Sequence, residues 1–246
     1  MEDFYNSYSL RQDCKPDDFK EGRIVLINKP LGWSSFDVVN KMRILIRQYL
    51  GFKKIKVGHA GTLDPLATGL MIICTGKLTK QIETLMGMDK EYVAGVTLGS
   101  TTPSYDLETE PDQFFETGHL TSSGLQTALK SFLGVQMQTP PLFSAIRVNG
   151  KRAYEHARKG NDMELKQREV EFKELELISF DNRVARIRVV CSKGTYIRSF
   201  ANDLGKVLES GGHLSALERT AIGPFRLANA ITINDFEKIL EQILTY

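Results

Sequence analysis

This sequence of 246 residues is poor in the residues that build staples, metal cages and membrane anchors. It has three cysteines, Cys14, Cys74 and Cys191, an odd number with no two close together. That disfavours a disulfide framework and a Cys-x-x-Cys metal site, and it makes a reducing cytoplasm the expected compartment. Its four histidines, His59, His119, His156 and His213, stand singly, so no metal site is expected. Apolar runs such as Leu70 to Cys74 fall far short of the about 20 residues that cross a bilayer. The opening Met1-Glu2-Asp3-Phe4-Tyr5 has neither the cationic start nor the apolar core of a signal peptide. Gly-x-x-x-x-Gly-Lys-Ser/Thr, Gly-x-Gly-x-x-Gly and His-Glu-x-x-His are all missing; Gly76-Lys77 is followed by Leu78. Nucleotide hydrolysis, dinucleotide chemistry and zinc hydrolysis therefore lose their usual signatures.

With 41% hydrophobic and 25% charged residues, the chain has an ordinary globular composition. Its net charge is only +2, but the charge is segregated. Six cations and no acid lie between Lys41 and Lys56, and five cations and no acid between Arg183 and Arg198. Between Thr101 and Gly118 there are five acids and no cation. Such blocks either form a basic face for a polyanion or are ordinary solvated faces of helices and strands.

Residues 1–20 are polar, contain Pro16 and show no period, which predicts an extension or a loosely attached arm. A strand is expected over Arg23 to Asn28, then a turn at Pro30-Leu31-Gly32. Ser34-Ser35-Phe36-Asp37 carries the hydroxyl and the acid of a helix start, Val38, Met42, Leu45 and Tyr49 repeat at helical spacing, and Gly51 marks the end. Next come a Gly-rich loop over 57–69, a strand over Leu70–Cys74, a helix over about 77–86 and a strand over Glu91 to Leu98. After an acidic loop, a helix is expected over Thr121–Leu133, a hairpin about Asn149-Gly150, and strands over Arg168–Phe180 and Arg183–Cys191. In the last of these Ala185, Ile187, Val189 and Cys191 share one face. A helix bearing Ile197, Ala201, Leu204 and Leu208, a last strand over about 214–222 and a helix over about 234–244 complete the chain. The mixture lacks strict βαβ alternation, so the expected class is α+β with a mixed, mostly antiparallel central sheet flanked by helices.

Two segments have an unusual make-up. In Gly58-His59-Ala60-Gly61-Thr62-Leu63-Asp64-Pro65-Leu66-Ala67-Thr68-Gly69, three glycines and a proline surround one acid. Glycines let another molecule approach the backbone, and Pro65 holds Asp64 extended, aiming its carboxylate. A plain Asx turn would have the same look. In Cys191-Ser192-Lys193-Gly194-Thr195-Tyr196-Ile197-Arg198, Arg198 falls in the first turn of a helix, where the macrodipole disfavours a cation. Either it has a carboxylate partner, for which Asp64 is the obvious choice, or it reaches out to solvent.

The first segment resembles the catalytic motif of the TruB family of tRNA pseudouridine synthases. Four others, in the family's order, are similar to further motifs of that family: Asn28-Lys29-Pro30-Leu31-Gly32-Trp33-Ser34-Ser35, Asp89-Lys90-Glu91-Tyr92, Cys191 to Arg198, and Leu217 to Phe225. The resemblance runs from about Gly22 to Phe225.

It implies the pseudouridine synthase catalytic fold over 21–246 and isomerisation of a uridine in the T-arm loop of tRNA, at tRNA position 55. No cofactor and no metal are implied. Asp64 would be the catalytic carboxylate, as nucleophile or base, with Arg198 lowering its pKa and aiming it. Tyr92 would stack on the flipped base and help move the C5 proton. His59 would fill space in the remodelled RNA loop. Lys29 and Lys80 match positions near the site or its phosphates, although Lys29 is equally suited to supporting the Asp64 loop. Lys53, Lys54 and Lys56 would hold phosphates.

The chain departs from the family after Leu98-Gly99. There it reads Thr101-Thr102-Pro103-Ser104-Tyr105-Asp106-Leu107-Glu108, keeping Asp106, a candidate RNA contact, but not the family's first aspartate or its glycine. The sequence also stops at Tyr246 without the family's usual RNA-binding PUA module. A monomer with tRNA as partner is expected. The alternatives are the catalytic subunit of a guide-RNA pseudouridylation particle and a non-catalytic tRNA-binding chaperone.

Overall fold

The computed structural model describes residue 10 and residues 14–144, 147–148, 151–152 and 165–243. The chain divides into two compact units: residues 1–90 with 218–246, and residues 91–217, so the second is inserted into the first.

The first unit opens with a short helix, α1 (Asp18–Glu21), and strand β1 (Ile24–Lys29). Residues 14–21 are not a loose arm. Phe19 is fully buried, its ring edge-on to Phe236 at 6.4 Å, and Arg23 pairs with Asp18 at 2.7 Å. Helix α2 (Ser35–Leu50) starts at a capping box: the Ser34 hydroxyl accepts from Asp37 N, and the Asp37 carboxylate accepts from Ser34 N. It buries Val38, Val39, Met42, Leu45, Ile46 and Leu50 and ends on Gly51 at φ 69°. Tyr49 is only half-buried; its hydroxyl donates to Glu237 at 3.0 Å.

The expected 57–69 loop is shorter than predicted. Strands β2 (Val57–His59) and β3 (Ala67–Thr75) take both its ends, leaving 60–66 as loop. β3 pairs antiparallel with β1, placing Lys29 opposite Gly69, and with β2, placing His59 opposite Ile73. The helix expected over 77–86 is a 3-10 turn, Gly76–Gln81, followed by α3 (Ile82–Met86). In the tighter turn the Thr79 hydroxyl donates back to Gly76 O at 2.8 Å.

The second unit holds β4 (Lys90–Leu98, its first residue in the first unit) and two short paired strands, β5 (Ser100–Thr101) and β6 (Gln113–Phe114). Helix α4 (Ser122–Ser131) is capped by Thr121, which the sequence reading placed inside the helix. The strand β7 (Gly134–Gln138) was not anticipated. Strands β8 (Arg147–Val148) and β9 (Lys151–Arg152) pair as the expected hairpin; its turn, Asn149-Gly150, lies outside the described residues. β10 (Arg168–Asp181) and β11 (Val184–Cys191) form a long antiparallel pair, joined by Asn182 and Arg183, both at positive φ, as a type I′ turn requires. Ala185, Ile187, Val189 and Cys191 are all fully buried, as the alternation predicts. Helix α5 (Ile197–Val207) follows, with Leu208 half-buried at its C-cap. Phe132, Phe172 and Phe200 pack ring to ring at 5.1–6.4 Å.

Strand β12 (Gly212–Ile222) begins in the second unit and ends in the first. It is not the last strand: β13 (Phe225–Arg226) folds back on it, and α6 (Ile233–Ile243) follows. The hydrogen-bonded order is β1-β3-β12 in the first unit and β12-β4-β11-β10-β7 in the second. Ile24, Ala60, Leu70, Ile72, Cys74, Leu78, Leu85, Ile222 and Phe225 form one hydrophobic core of the first unit, which includes Ala60 of the 60–66 loop. The class is α+β with a mostly antiparallel sheet, as expected. Among the described residues no helix is long and apolar enough to cross a membrane.

Candidate active site

The loop between β2 and β3 belongs to no regular ladder, yet its backbone carbonyls are heavily engaged. Five successive carbonyls each accept a hydrogen bond. Arg219, 1% exposed, donates Nη2 to Gly61 O at 3.0 Å and Nη1 to Thr62 O at 3.4 Å, with Nε to Leu70 O at 2.8 Å. The buried Ser35 hydroxyl bonds both Leu63 O and Leu63 N, at 2.9 and 2.8 Å. Asp64 O accepts from Ala67 N at 3.1 Å, and Pro65 O from Gly32 N at 2.9 Å. A loop paired in this way has nowhere to relax, so the half-buried Asp64 side chain starts from a fixed backbone.

Lys29 lies under the loop with no exposed surface. Its ammonium donates to Trp33 O at 2.6 Å, Pro30 O at 3.0 Å and Pro65 O at 3.4 Å. Burial pulls its pKa down to about 8, attraction to Asp64 draws it up, and Arg219 pushes it down. Of the two roles open to Lys29, the geometry matches support of the Asp64 loop. Gly69 stands at φ 101°, and a Cβ there would meet the Arg219 backbone oxygen at 2.4 Å and nitrogen at 2.7 Å. Only glycine lets β3 lie this close to β12.

His59 precedes the loop, half-buried, its Nδ1 sealed from solvent without a hydrogen-bond partner. Burial, and then Arg219, lower its pKa. The imidazole is therefore neutral near pH 7, which suits a ring that fills space better than one that carries charge. Lys53, Lys54, Lys56 and Lys80 are all exposed.

In the second unit Tyr92 sits on β4, 8% exposed. Arg198 lies in the first turn of α5 and does not snorkel; it is 4% exposed. A cation at this end of a helix needs compensation. Its Nη1 donates to Phe143 O at 2.9 Å and Ser104 O at 3.4 Å, and its Nε faces the Asp106 carboxylate at 3.6 Å. Asp106, 5% exposed, is itself fixed: one carboxylate oxygen accepts from Glu108 N at 2.9 Å, and its carbonyl accepts from Thr102 and Ser104 hydroxyls. Tyr105 takes φ 63° to make this bend. The 101–108 segment that departs from the family pattern is therefore a cradle for Arg198 within this unit.

Three further residues build the site. Arg219 and Ser35 hold the Asp64 loop. Gln138 mimics a backbone partner, donating to Tyr196 O at 3.0 Å and accepting from Tyr196 N at 2.8 Å where α5 begins. Arg219 and Ser35 lie within the segments 217–225 and 28–35 that resemble family motifs; Gln138 carries no local signal.

Two family models together match residues 47–244. Residues 47–197 match the TruB family pseudouridylate synthase N-terminal domain, and residues 198–244 match the tRNA pseudouridylate synthase B C-terminal domain. The chain belongs to the TruB family of pseudouridylate synthases. Relatives named tRNA pseudouridine synthase B include one from Parabacteroides distasonis, 54% identical over 92% of this chain and 96% of its own length. Another, from Flavobacterium johnsoniae, is 52% identical over 92% of this chain and 99% of its own length. Among solved structures, a Cbf5-Nop10-Gar1 complex contains a chain with a TM-score of 0.67 and 27% identity, matching 91% of this chain. This chain spans 57% of that protein's length. The expected pseudouridine synthase fold is thus the observed one.

Proposed function

We propose that this chain is a tRNA pseudouridine synthase that isomerises a uridine of the T-arm loop, at tRNA position 55. The observation that carries the reading is the locked 60–66 loop. It presents one carboxylate, Asp64, from a backbone held at five successive carbonyls, in a chain whose family isomerises uridine. The names of relatives at 50% identity and above over nearly their whole length support tRNA as the substrate.

In the proposed reaction the N1–C1′ bond of the uridine breaks, the uracil turns, and C5 bonds to C1′. The proton lost from C5 is balanced by one gained at N1, so no oxidant or co-reactant enters. The target base leaves the loop stack, at a cost of a few kcal/mol, and Tyr92 stacks on it and assists the C5 proton. Asp64 acts while ionised, as nucleophile or base, and Arg198 serves the same step. His59 occupies space in the opened RNA loop. Lys80, Lys53, Lys54 and Lys56 meet phosphates, which position the RNA without reading it. The enzyme works as a cytoplasmic monomer, a compartment consistent with three free cysteines.

The test is release of tritium from 5-tritiated uridine in unmodified tRNA. Wild type releases it; Asp64→Asn, nearly isosteric, abolishes release while RNA binding stays within a few-fold. Retained turnover in Asp64→Asn would overturn the assignment.

A further inference from the structure

Helix α5 begins without a cap of its own. Tyr196, at the N-cap, makes no side-chain bond to the first-turn N–H groups, and no acid stands in that turn. The local sequence therefore does little to fix where the helix starts. Yet Arg198 in the same turn is 4% exposed and is held at one place. A separate segment of the second unit supplies the missing hold. We propose that residues 138–143 form a strap that sets where the Arg198 guanidinium stands, and that Gln138 and Ser199 are positioning residues for the reaction, acting through Arg198.

The strap grips the start of α5 on both sides of Arg198. On one side, Gln138 Nε2 donates to Tyr196 O at 3.0 Å, and Gln138 Oε1 accepts from Tyr196 N at 2.8 Å. On the other, Ser199 Oγ donates to Thr139 O at 2.7 Å. Between them, the Arg198 guanidinium itself donates Nη1 to Phe143 O at 2.9 Å. Gln138 and Ser199 are buried, so a bond lost there is not replaced by bulk water. The strap is in turn anchored to the sheet. Gln138 is the last residue of β7 and lies opposite Arg168 of β10. Arg168 stands over the Tyr196 ring at 5.0 Å and donates to Gly194 O at 3.5 Å. The start of α5 thus takes its position from the β7–β10 pair.

This arrangement makes the strap a matter of rate. The guanidinium is placed by the helix that carries it and by the carbonyl that receives it, and the strap controls both. A misplacement of about 1 Å, even from a change away from the chemistry, can cost on the order of a hundredfold in rate. The phosphate-holding lysines lie in the other unit, so loosening the strap leaves RNA affinity in place. The loss therefore falls on kcat and spares KM.

The inference rests on the reading above, in which Arg198 serves the step at Asp64, and its test separates the two. Gln138→Met keeps the side-chain length and removes both bonds to Tyr196. Ser199→Ala removes a single bond and suits a helix, so it carries the test if the first variant does not fold. Tritium release from unmodified tRNA is followed for the full chain, in steady state and with enzyme in excess. Gln138→Met should lower kcat roughly 10- to 100-fold and Ser199→Ala roughly 3- to 10-fold, with KM within about threefold of wild type. Added to Arg198→Lys, either change should cost less than about twofold more, because the group it positions has already gone. In protein labelled with nitrogen-15 arginine, the Arg198 Nε–H signal, identified by its loss in Arg198→Lys, should move or broaden in both variants. Unchanged kcat, a rise in KM in place of the kcat loss, or losses that multiply with Arg198→Lys would each overturn the proposal and leave the tRNA reading standing. A wild-type chain that releases no tritium would remove both.

Discussion

Lys29 is an ammonium group held away from water by its own protein. Three carbonyl oxygens replace its hydration, and its pKa is drawn down to about 8 from 10.5. Because the folded value is the lower one, the unfolded chain binds more protons between these two pH values. Stability through this group therefore rises as pH climbs from about 8 to 10.5. Urea unfolding of wild type and Lys29→Met across that window should show the wild-type midpoint gaining on the variant; parallel curves would mean that Lys29 is not buried as a cation. At the other end of the chain's chemistry, Arg198 depends on Asp106. Breaking a buried pair typically costs about 3–5 kcal/mol, since one charge is left uncompensated. Asp106→Asn and Arg198→Lys should both cut kcat steeply, the lysine because it cannot reproduce the fork that spans Phe143 O, Ser104 O and Asp106. Near wild-type turnover in either variant would show that this cradle serves packing alone. The sequence made Arg198's need for a carboxylate visible, since a cation at a helix start is a local anomaly. It could not reveal Asp106 as the neighbour, because no spacing rule links positions on a loop and a helix that only the fold brings together.

Elements built from local signals were legible; those that depend on distant partners were not. Helix α2 follows from Ser34, Asp37 and Gly51, all readable within one stretch of chain. The 60–66 loop announced itself through glycine and proline. The reason for its rigidity lay elsewhere: Arg219 reaches it across 157 and 158 positions and Ser35 across 28. The 3-10 turn at Gly76–Gln81 differs from the expected helix only in the winding of its backbone hydrogen bonds, which side-chain composition does not report. β7 was missed for want of a continuous apolar pattern; Val135 and Met137 point outward, 62% and 59% exposed. At this scale Gly69 gives the sharpest test. Gly69→Ala adds a methyl that collides with the Arg219 backbone, at a φ suited to glycine alone. Such backbone strain costs of order 1–3 kcal/mol before the collision is counted. The variant should lose at least that much stability in denaturant titrations, and its turnover should fall with it; a wild-type midpoint would show that β3 and β12 can separate freely.

For the whole molecule, a net charge of +2 hides two basic blocks, 41–56 and 183–198; on the proposed reading the first holds RNA, whereas in the second Arg188 pairs with Glu91 and Glu174 and Arg198 is buried. Each phosphate neutralised should add about 0.7–0.9 to the slope of log affinity against log salt. Charge reversal at Lys53, Lys54 or Lys56 should flatten that slope without changing which uridine is modified. An isolated T-arm stem-loop should react nearly as well as full-length tRNA; a preference of about a hundredfold for the whole molecule would mean that contacts beyond the T arm matter. The insertion of residues 91–217 into the first unit has a further consequence, for synthesis on the ribosome. Arg219, which pins the Asp64 loop, is translated long after the loop itself. A nascent chain that has displayed Asp64 but not yet β12 carries the carboxylate on an unpinned backbone. If Asp64 carries the reaction as proposed, a chain released before β12 lacks the Arg219 bonds to Gly61 and Thr62 and should show no turnover, which assay of a chain truncated after residue 211 checks.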